Sequence, residues 1–334
     1  MAVLNAAVVG LGWWGKTIVE GMKDSSKLRV VRAVGNVNPA AADYAKAHGL
    51  AYSTNYEDAL TDPAVGAIIL CTPNLQHVDQ VVRAAAAGKH VFCEKPLAMD
   101  GKGARACVDA CNRARVVLGV GHERRFEPPM LELRRLAGTG ALGTLLQVEA
   151  NFSQDKFLGL PADNWRGSPR EAPAGPMTAT GIHLLDLAVS FLGEPERVFV
   201  NVRQLGSQLK NGDTLGALVT FKSGANALLT AILATPYFGR FCLFGSKGWA
   251  ELRDKSHPDK PTGSTLTVCL RGQEPTATDY PPVFAVRSNL EAFADAVAGR
   301  APYPMPQGEM IANIAALEAI FKSAESGNVE HVES

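Results

Sequence analysis

The sequence contains no apolar run approaching the roughly 18 residues that a membrane-crossing helix needs. It also has no charge excess, since 33 basic and 33 acidic side chains cancel. The first absence argues against a membrane span. The second removes the global field that draws nucleic acid or anionic lipid. The expected partner is therefore a small molecule, with no nucleic acid and no membrane. Cysteine is sparse and scattered: Cys71, Cys93, Cys107, Cys111, Cys242 and Cys269 mostly sit in apolar runs. Cys107 and Cys111 lie one helical turn apart, but no second pair or nearby histidine completes a metal site, so no metal is expected. Thiols that behave as small hydrophobes suit a reducing, cytoplasmic compartment. The opening Met1-Ala2-Val3-Leu4-Asn5 carries no charged segment before its apolar run, so no leader is expected. There is no internal repeat, no low-complexity tract and no Gly-x-Ser-x-Gly elbow of a hydrolase.

What is present is an ordinary globular composition, 46% apolar and 20% charged, spread over 334 residues. That length exceeds most single cores and favours two domains. Ala6-Ala7-Val8-Val9 reads as a buried parallel strand and breaks at Gly10-Leu11-Gly12-Trp13-Trp14-Gly15, after which a helical pattern begins at Lys16. Glycines between a strand and a helix form a dinucleotide-binding turn. Gly10 makes the tight turn, Gly12 lets a pyrophosphate approach the backbone, and Gly15 lets helix and strand pack closely. The helix start then offers N–H groups to the phosphates. A second strand, Leu28 to Val34, leads to Asn36, where an acid usually holds the adenosine ribose hydroxyls. Asparagine can bond a hydroxyl without repelling a 2′-phosphate, so the cofactor is NAD or NADP. Further strands end in Cys71-Thr72-Pro73-Asn74-Leu75-Gln76-His77 and Glu94-Lys95-Pro96, and Val116 to Val120 closes the sheet. The alternation predicts an α/β fold with a doubly wound parallel sheet and ligands at its carboxyl edge.

These residues resemble the glucose–fructose oxidoreductase, inositol dehydrogenase and MocA family. The resemblance is carried by GLGWWG, by TPNLQH, above all by CEKPLA near residue 95, and then by GHERRF (121–126) and GIHLLD (181–186), in the family's order. It implies a Rossmann domain over 1–121. A substrate-binding and oligomerisation domain over 122–334 would follow, α+β, with a large open antiparallel sheet. Strands are expected at Thr144–Asn151, Arg197–Gln204, Leu215–Phe221, Ala227–Leu233, Arg240–Phe244 and Leu266–Leu270. Pro-rich surface loops are expected at 256–263 and 301–306, and terminal helices at 286–298 and 308–325 near the domain junction. The resemblance also implies pairing of sheets face to face, hence a homodimer or homotetramer.

A lysine directly after an apolar strand and before a proline, Lys95, is placed to polarise a substrate oxygen and stabilise alkoxide charge. A rim pair with Glu94 is the structural alternative. His183, on a helical pattern, has the pKa range to exchange the hydroxyl proton of a carbinol in both directions. A hydrogen-bonded core histidine is its alternative, and the resemblance favours catalysis for both residues. Asp186 falls near the same helix face. The cofactor set is then Gly10, Gly12, Trp13, Trp14, Gly15, Asn36, Thr72, Pro73, Asn74, His77, Glu94 and Lys95. The substrate set is Lys95, Arg124, Trp165, Arg166, Thr180 and His183, with Phe126, Lys156 and Arg170 nearby and His122 structural. Relatives often carry an aspartate four residues before the histidine; here that position is Ala179. The expected activity is hydride transfer between NAD(P) and a carbinol carbon of a sugar, polyol or related cyclic alcohol. Two other readings stay open: a dehydrogenase of a carboxylated ring, with Arg166 or Arg170 as clamp, and a non-catalytic NAD(P)-binding sensor.

Overall fold

The structure, a computed structural model, describes residues 3–333, so Met1 and Ala2 of the opening pentapeptide and Ser334 lie outside the described residues. The chain divides into two compact units. One comprises the residues up to Glu123 together with Ala285–Met310. The other comprises Arg124–Phe284 together with the residues from Ile311 onward.

In the first unit the strands are β1 (Leu4–Val9), β2 (Leu28–Val34), β3 (Ala51–Ser53), β4 (Ala67–Leu70), β5 (His90–Cys93) and β6 (Leu118–Val120). They form one six-stranded sheet in the order β3-β2-β1-β4-β5-β6, and every pairing is parallel. The helices alternating with them are α1 (Trp13–Met22), α2 (Pro39–Ala47), α3 (Glu57–Thr61), α4 (His77–Ala86) and α5 (Gly101–Ala114). Helices cover such a sheet, so its central strands are apolar throughout: Ala67, Ile68, Ile69 and Leu70 are all fully buried. Two later residue groups complete this unit. Helix α8 (Ala285–Val297) sets Phe293 edge-on against Phe92. The Tyr303 hydroxyl meets both the amide and the carbonyl of Val120 and donates to Asn289 Oδ1 at 2.6 Å. Those contacts are why Ala285–Met310 belongs with a sheet that precedes it by more than a hundred residues, and why a single cut at 121/122 does not describe the chain.

The second unit begins with α6 (Pro128–Gly138), then β7 (Leu145–Ser153), a π-helical turn (Met177–Gly181), and α7 (Ile182–Leu192). After these come β8 (Pro195–Arg203), β9 (Thr214–Phe221), β10 (Asn226–Ile232), β11 (Phe238–Gly245), β12 (Gly248–Asp254), β13 (Ser264–Leu270) and β14 (Thr276–Tyr280). Helix α9 (Gln307–Ser326) and the short β15 (Glu330–His331) end the chain. The sheet has nine strands, in the order β14-β13-β12-β11-β7-β10-β9-β8-β15. It is the large antiparallel sheet expected, with one parallel pair, β7 with β10. Strand β7 precedes α7 and returns to the sheet centre, where β10 and β11 flank it in opposite senses. Along β9, buried and exposed residues alternate, as a sheet with one uncovered face requires. The sequence reading did not anticipate α6, β12 or β14. Strand β12 is charged (Gly-Trp-Ala-Glu-Leu-Arg-Asp), and β14 is exposed and polar, so neither carries a clear apolar alternation.

Candidate functional site

In the first unit the glycine turn is built by steric exclusion. Gly10 has φ +97°, and a Cβ there would lie 2.6 Å from the Cys71 carbonyl carbon. A Cβ on Gly15 would lie 2.2 Å from the Gly10 carbonyl oxygen, whereas one on Gly12 meets nothing within 4 Å. The open space is therefore in front of Gly12, which is the N-cap of α1 and provides no side-chain cap. The first amides of α1 are left pointing outward, a set of donors suited to a pyrophosphate. Trp13 is about half exposed on that first turn and meets Trp14 edge-on, with ring centroids 5.5 Å apart. Asn36 is exposed beyond β2, and its carbonyl accepts a 2.6 Å hydrogen bond from the Tyr52 hydroxyl. Asn38 caps α2 by accepting from the Ala40 amide. These residues fit a dinucleotide: a donor-rich helix start, room for phosphate, and a neutral side chain at the ribose position.

Two further loops of this unit are joined by His77. Its ring is fully buried, with Nδ1 2.7 Å from the Pro96 carbonyl oxygen and Nε2 3.0 Å from that of Thr72. Burial pushes the imidazole pKa below its ordinary value, against the two carbonyls that favour the charged form. His77 thereby ties the Thr72-Pro73-Asn74 turn to the Glu94-Lys95-Pro96 turn. Thr72 donates its hydroxyl to Gln80 Oε1, Asn74 is buried, and Pro73 precedes it at the turn. Glu94 is buried with its carboxylate over Gly121, where a Cβ would come within 2.6 Å. Lys95 is half-buried, and its amide donates to Glu94 Oε2 at 3.3 Å. His122 is buried, its amide bonded to the Val120 carbonyl.

In the second unit His183 lies on the first turn of α7, immediately after the π-helical turn, and is 5% exposed. The Thr180 hydroxyl, in that turn, donates to the Phe152 carbonyl at 2.8 Å and lies 3.3 Å from that of Pro176. Thr180 therefore anchors the turn to β7, and Thr178 bonds the Pro173 carbonyl in the same manner. Ala179 lies between them. One turn after His183, Asp186 receives Arg125 through two bonds, Nε to Oδ2 and Nη2 to Oδ1, both 2.7 Å. Both partners are almost fully buried, so this bidentate pair fixes the start of α7 against the 123–126 turn. Sequence reasoning noticed Asp186 without finding Arg125. The Arg-Arg doublet in Gly-His-Glu-Arg-Arg-Phe was the available signal.

Arg124, 1% exposed, donates to Asp254 Oδ2 at 2.6 Å and pairs with Glu127. Burial opposes its charge, but Asp254 and Glu127 raise its pKa above the ordinary value. Its guanidinium carbon lies 5.4 Å from the centre of the Phe152 ring, and the His183 ring lies 6.1 Å from the same centre. Tyr237 and His257 also pack on Phe152. Arg124 Nη1 and Gln154 Oε1 are buried and make no hydrogen bond. Trp165 and Arg166 form a separate feature, the guanidinium lying 4.3 Å above the indole, with the Asn164 side chain accepting from the Arg166 amide. Arg170 is exposed, and Phe126 is buried. Among the described residues, no group of His, Cys, Asp and Glu is arranged to hold a metal ion.

Comparison with known proteins identifies the family of both domains. Residues 4–122 match the oxidoreductase family with an NAD-binding Rossmann fold, and residues 130–251 match the GFO/IDH/MocA C-terminal domain. A D-xylose 1-dehydrogenase (NADP(+)) of Haloferax volcanii is 30% identical over 278 residues, covering 82% of each chain. A putative NADPH-dependent oxidoreductase of Desulfitobacterium hafniense has the same fold, with TM-score 0.89 at 24% identity over 99% of this chain and 98% of that one. A levoglucosan dehydrogenase in complex with NADH and L-sorbose superposes with TM-score 0.86 at 19% identity over the whole of both chains. The glycine turn, the ordered motifs and these matches together establish that the chain belongs to the glucose–fructose oxidoreductase, inositol dehydrogenase and MocA family, as an NAD(P)-dependent oxidoreductase.

Proposed function

We propose that this protein oxidises a carbinol carbon of a sugar, polyol or related cyclic alcohol to the carbonyl, and catalyses the reverse reduction. The dinucleotide, when bound, supplies the hydride acceptor or donor at nicotinamide C4. His183 takes the hydroxyl proton on an imidazole nitrogen as the carbonyl forms, and returns it in reduction. Lys95 is assigned, from its place after β5, to polarise a substrate oxygen and stabilise alkoxide character. Arg124 holds a neighbouring hydroxyl.

The observation that carries this reading is the buried Arg124 Nη1 without a hydrogen bond, on an arginine packed against the Phe152 ring that His183 also touches. A relative named for D-xylose supports the substrate class. Asn36 accommodates NAD and NADP alike. Six unpaired cysteines suit a cytoplasmic setting. The test is turnover with sugars and polyols under NAD and NADP in parallel, read by nicotinamide absorbance. His183→Ala is expected to keep cofactor affinity while kcat falls by about two or more orders of magnitude. Near-normal kcat in that variant removes His183 from the mechanism.

The reading includes a homo-oligomer. Phe199, Leu218 and Leu228 are exposed and consecutive across β8, β9 and β10 on one face of the nine-stranded sheet. An apolar row on an uncovered sheet face suits the same face of a second copy.

A further inference from the structure

The loop joining β12 to β13 has no place in the chemistry above, yet it is closely organised. Ser256 Oγ donates to the Lys260 carbonyl at 2.9 Å and accepts from the Thr262 amide at 2.8 Å. The Lys255 amide donates to the Gly263 carbonyl at 3.0 Å, closing the loop at its base. Within this frame His257 is mostly buried, its side chain 16% exposed, although the sequence predicted only a surface connection here. Its ring lies 5.4 Å from Phe152 and 5.7 Å from Tyr237, centre to centre. Nδ1 lies 2.7 Å from Asp259 Oδ1, and the other Asp259 oxygen receives Lys156 Nζ at 2.5 Å.

This chain, Lys156 to Asp259 to His257, is the arrangement that orients an imidazole for work through its second nitrogen. Nδ1 is occupied by the Asp259 carboxylate and approached by the Asp259 amide, the carboxylate is neutralised by a lysine, and among the described residues no hydrogen bond is made to Nε2. Burial, with Lys156 and Arg124 nearby, pushes the His257 pKa down to about 4 despite the opposing pull of Asp259. The ring is then neutral at physiological pH. Phe152 is packed by His257 and His183 alike, and Arg124 with its buried Nη1 lies over the same ring. Ala179, one turn before His183, supplies only a methyl group, so polar recognition of a substrate has to come from other elements.

We propose that His257 is a substrate-binding and specificity-determining residue that hydrogen-bonds a sugar hydroxyl through Nε2, with Asp259 and Lys156 as its positioning residues. The inference rests on the sugar-dehydrogenase reading above. A rigid loop carrying the contact makes recognition depend on the hydroxyl's position on the ring, while leaving the hydride-transfer step to other groups.

The experiment compares His257→Phe and His257→Gln with the wild type on D-xylose, D-glucose and myo-inositol, with NAD and NADP. Phenylalanine keeps the ring packing on Phe152 and Tyr237 but cannot hydrogen-bond, while glutamine keeps a polar end. His257→Phe is expected to raise KM about tenfold with kcat within threefold. His257→Gln should restore KM to within about threefold, and Asp259→Asn should fall between the two. A wild-type KM in His257→Phe on every sugar that the enzyme oxidises overturns the proposal and leaves the sugar-dehydrogenase reading standing. So does a rise in KM shared equally by His257→Phe and His257→Gln, which marks a packing role. Failure of the wild type to oxidise any of the three sugars, with either cofactor, counts against the sugar reading itself and withdraws the inference with it.

Discussion

A methyl group added at Gly15 would lie 2.2 Å from a backbone oxygen, while one added at Gly12 meets nothing within 4 Å. The two positions therefore need glycine for different reasons, and alanine should separate them. Gly15→Ala has to push α1 off β1, so thermal stability and cofactor affinity fall together. Gly12→Ala should fold with an unchanged melting temperature, yet lose at least about tenfold in NADH affinity, because its methyl fills the approach of the pyrophosphate. Fluorescence titration with NADH beside a melting curve checks both, and full NADH affinity in Gly12→Ala would rule the assignment out. Histidine titration also acts at this scale. His77 and His257 are both held below their ordinary pKa by burial, His257 to about 4. In the unfolded chain each takes up its proton near pH 6.5. The folded state thus binds fewer protons between these values, so stability is fully present above about pH 6.5 and is lost as pH falls toward 4. Melting temperatures from pH 4 to 8 should decline on the acid side, and less steeply in His257→Gln than in the wild type. The roles of the glycines were legible in the sequence because steric demands are local. The partners of His257 were not, since Lys156 lies about a hundred positions away, although the His257-Pro258-Asp259 spacing was a cue.

Helix α7 shows what a secondary-structure element contributes to a site. Its apolar residues pack on the sheet, but its rotation and height are set by polar tethers at its start. These are the Thr180 hydroxyl on the Phe152 carbonyl and the bidentate Arg125–Asp186 pair. Removing one partner of a buried ion pair strands the other charge, which costs about 3–5 kcal/mol. Arg125→Ala or Asp186→Ala should lower stability by that amount and reduce kcat through displacement of His183. Replacing both partners by apolar residues should recover much of the stability, and denaturant unfolding of the two single variants and the double variant measures the coupling. Additive losses would show that the pair does not act as a unit. The helical period of residues 182–192 was readable from the sequence. The tether was not, because an arginine between another arginine and a phenylalanine carries no sign of which carboxylate it will meet.

At the scale of the whole molecule, the nine-stranded sheet covers one face with helices and leaves Phe199, Leu218 and Leu228 exposed on the other. Leu218→Lys places a charge in the middle of that row, with its β-sheet hydrogen bonds untouched. The variant should keep its fold and melt as a smaller species, and sedimentation velocity of wild type and variant is the measurement. An unchanged sedimentation coefficient would move the interface elsewhere. The strand segments forming this face were mostly foreseen, since alternation of apolar and polar residues along β8, β9 and β10 is a property of the chain itself. Strand β12 was missed because three of its seven residues are charged. The one parallel pairing within the sheet follows from strand order, which alternation does not encode.

The sequence by itself determined the cofactor class and the alternating α/β architecture of the first unit, together with the order of the motifs. All of these depend on residues close together in the chain: a turn that only glycine fits, strands that are apolar because both faces are covered, and a helix start that leaves its amides unbonded. Tertiary structure decided the rest. It drew Ala285–Met310 back to the first sheet through Phe293 and Tyr303, paired Arg125 with Asp186, and gathered Arg124, His183, Tyr237 and His257 around Phe152. The physical reason is that a buried charge or aromatic ring has to be satisfied by whatever neighbours the folded chain brings to it. Those neighbours are separated in sequence by distances over which local pattern carries no information.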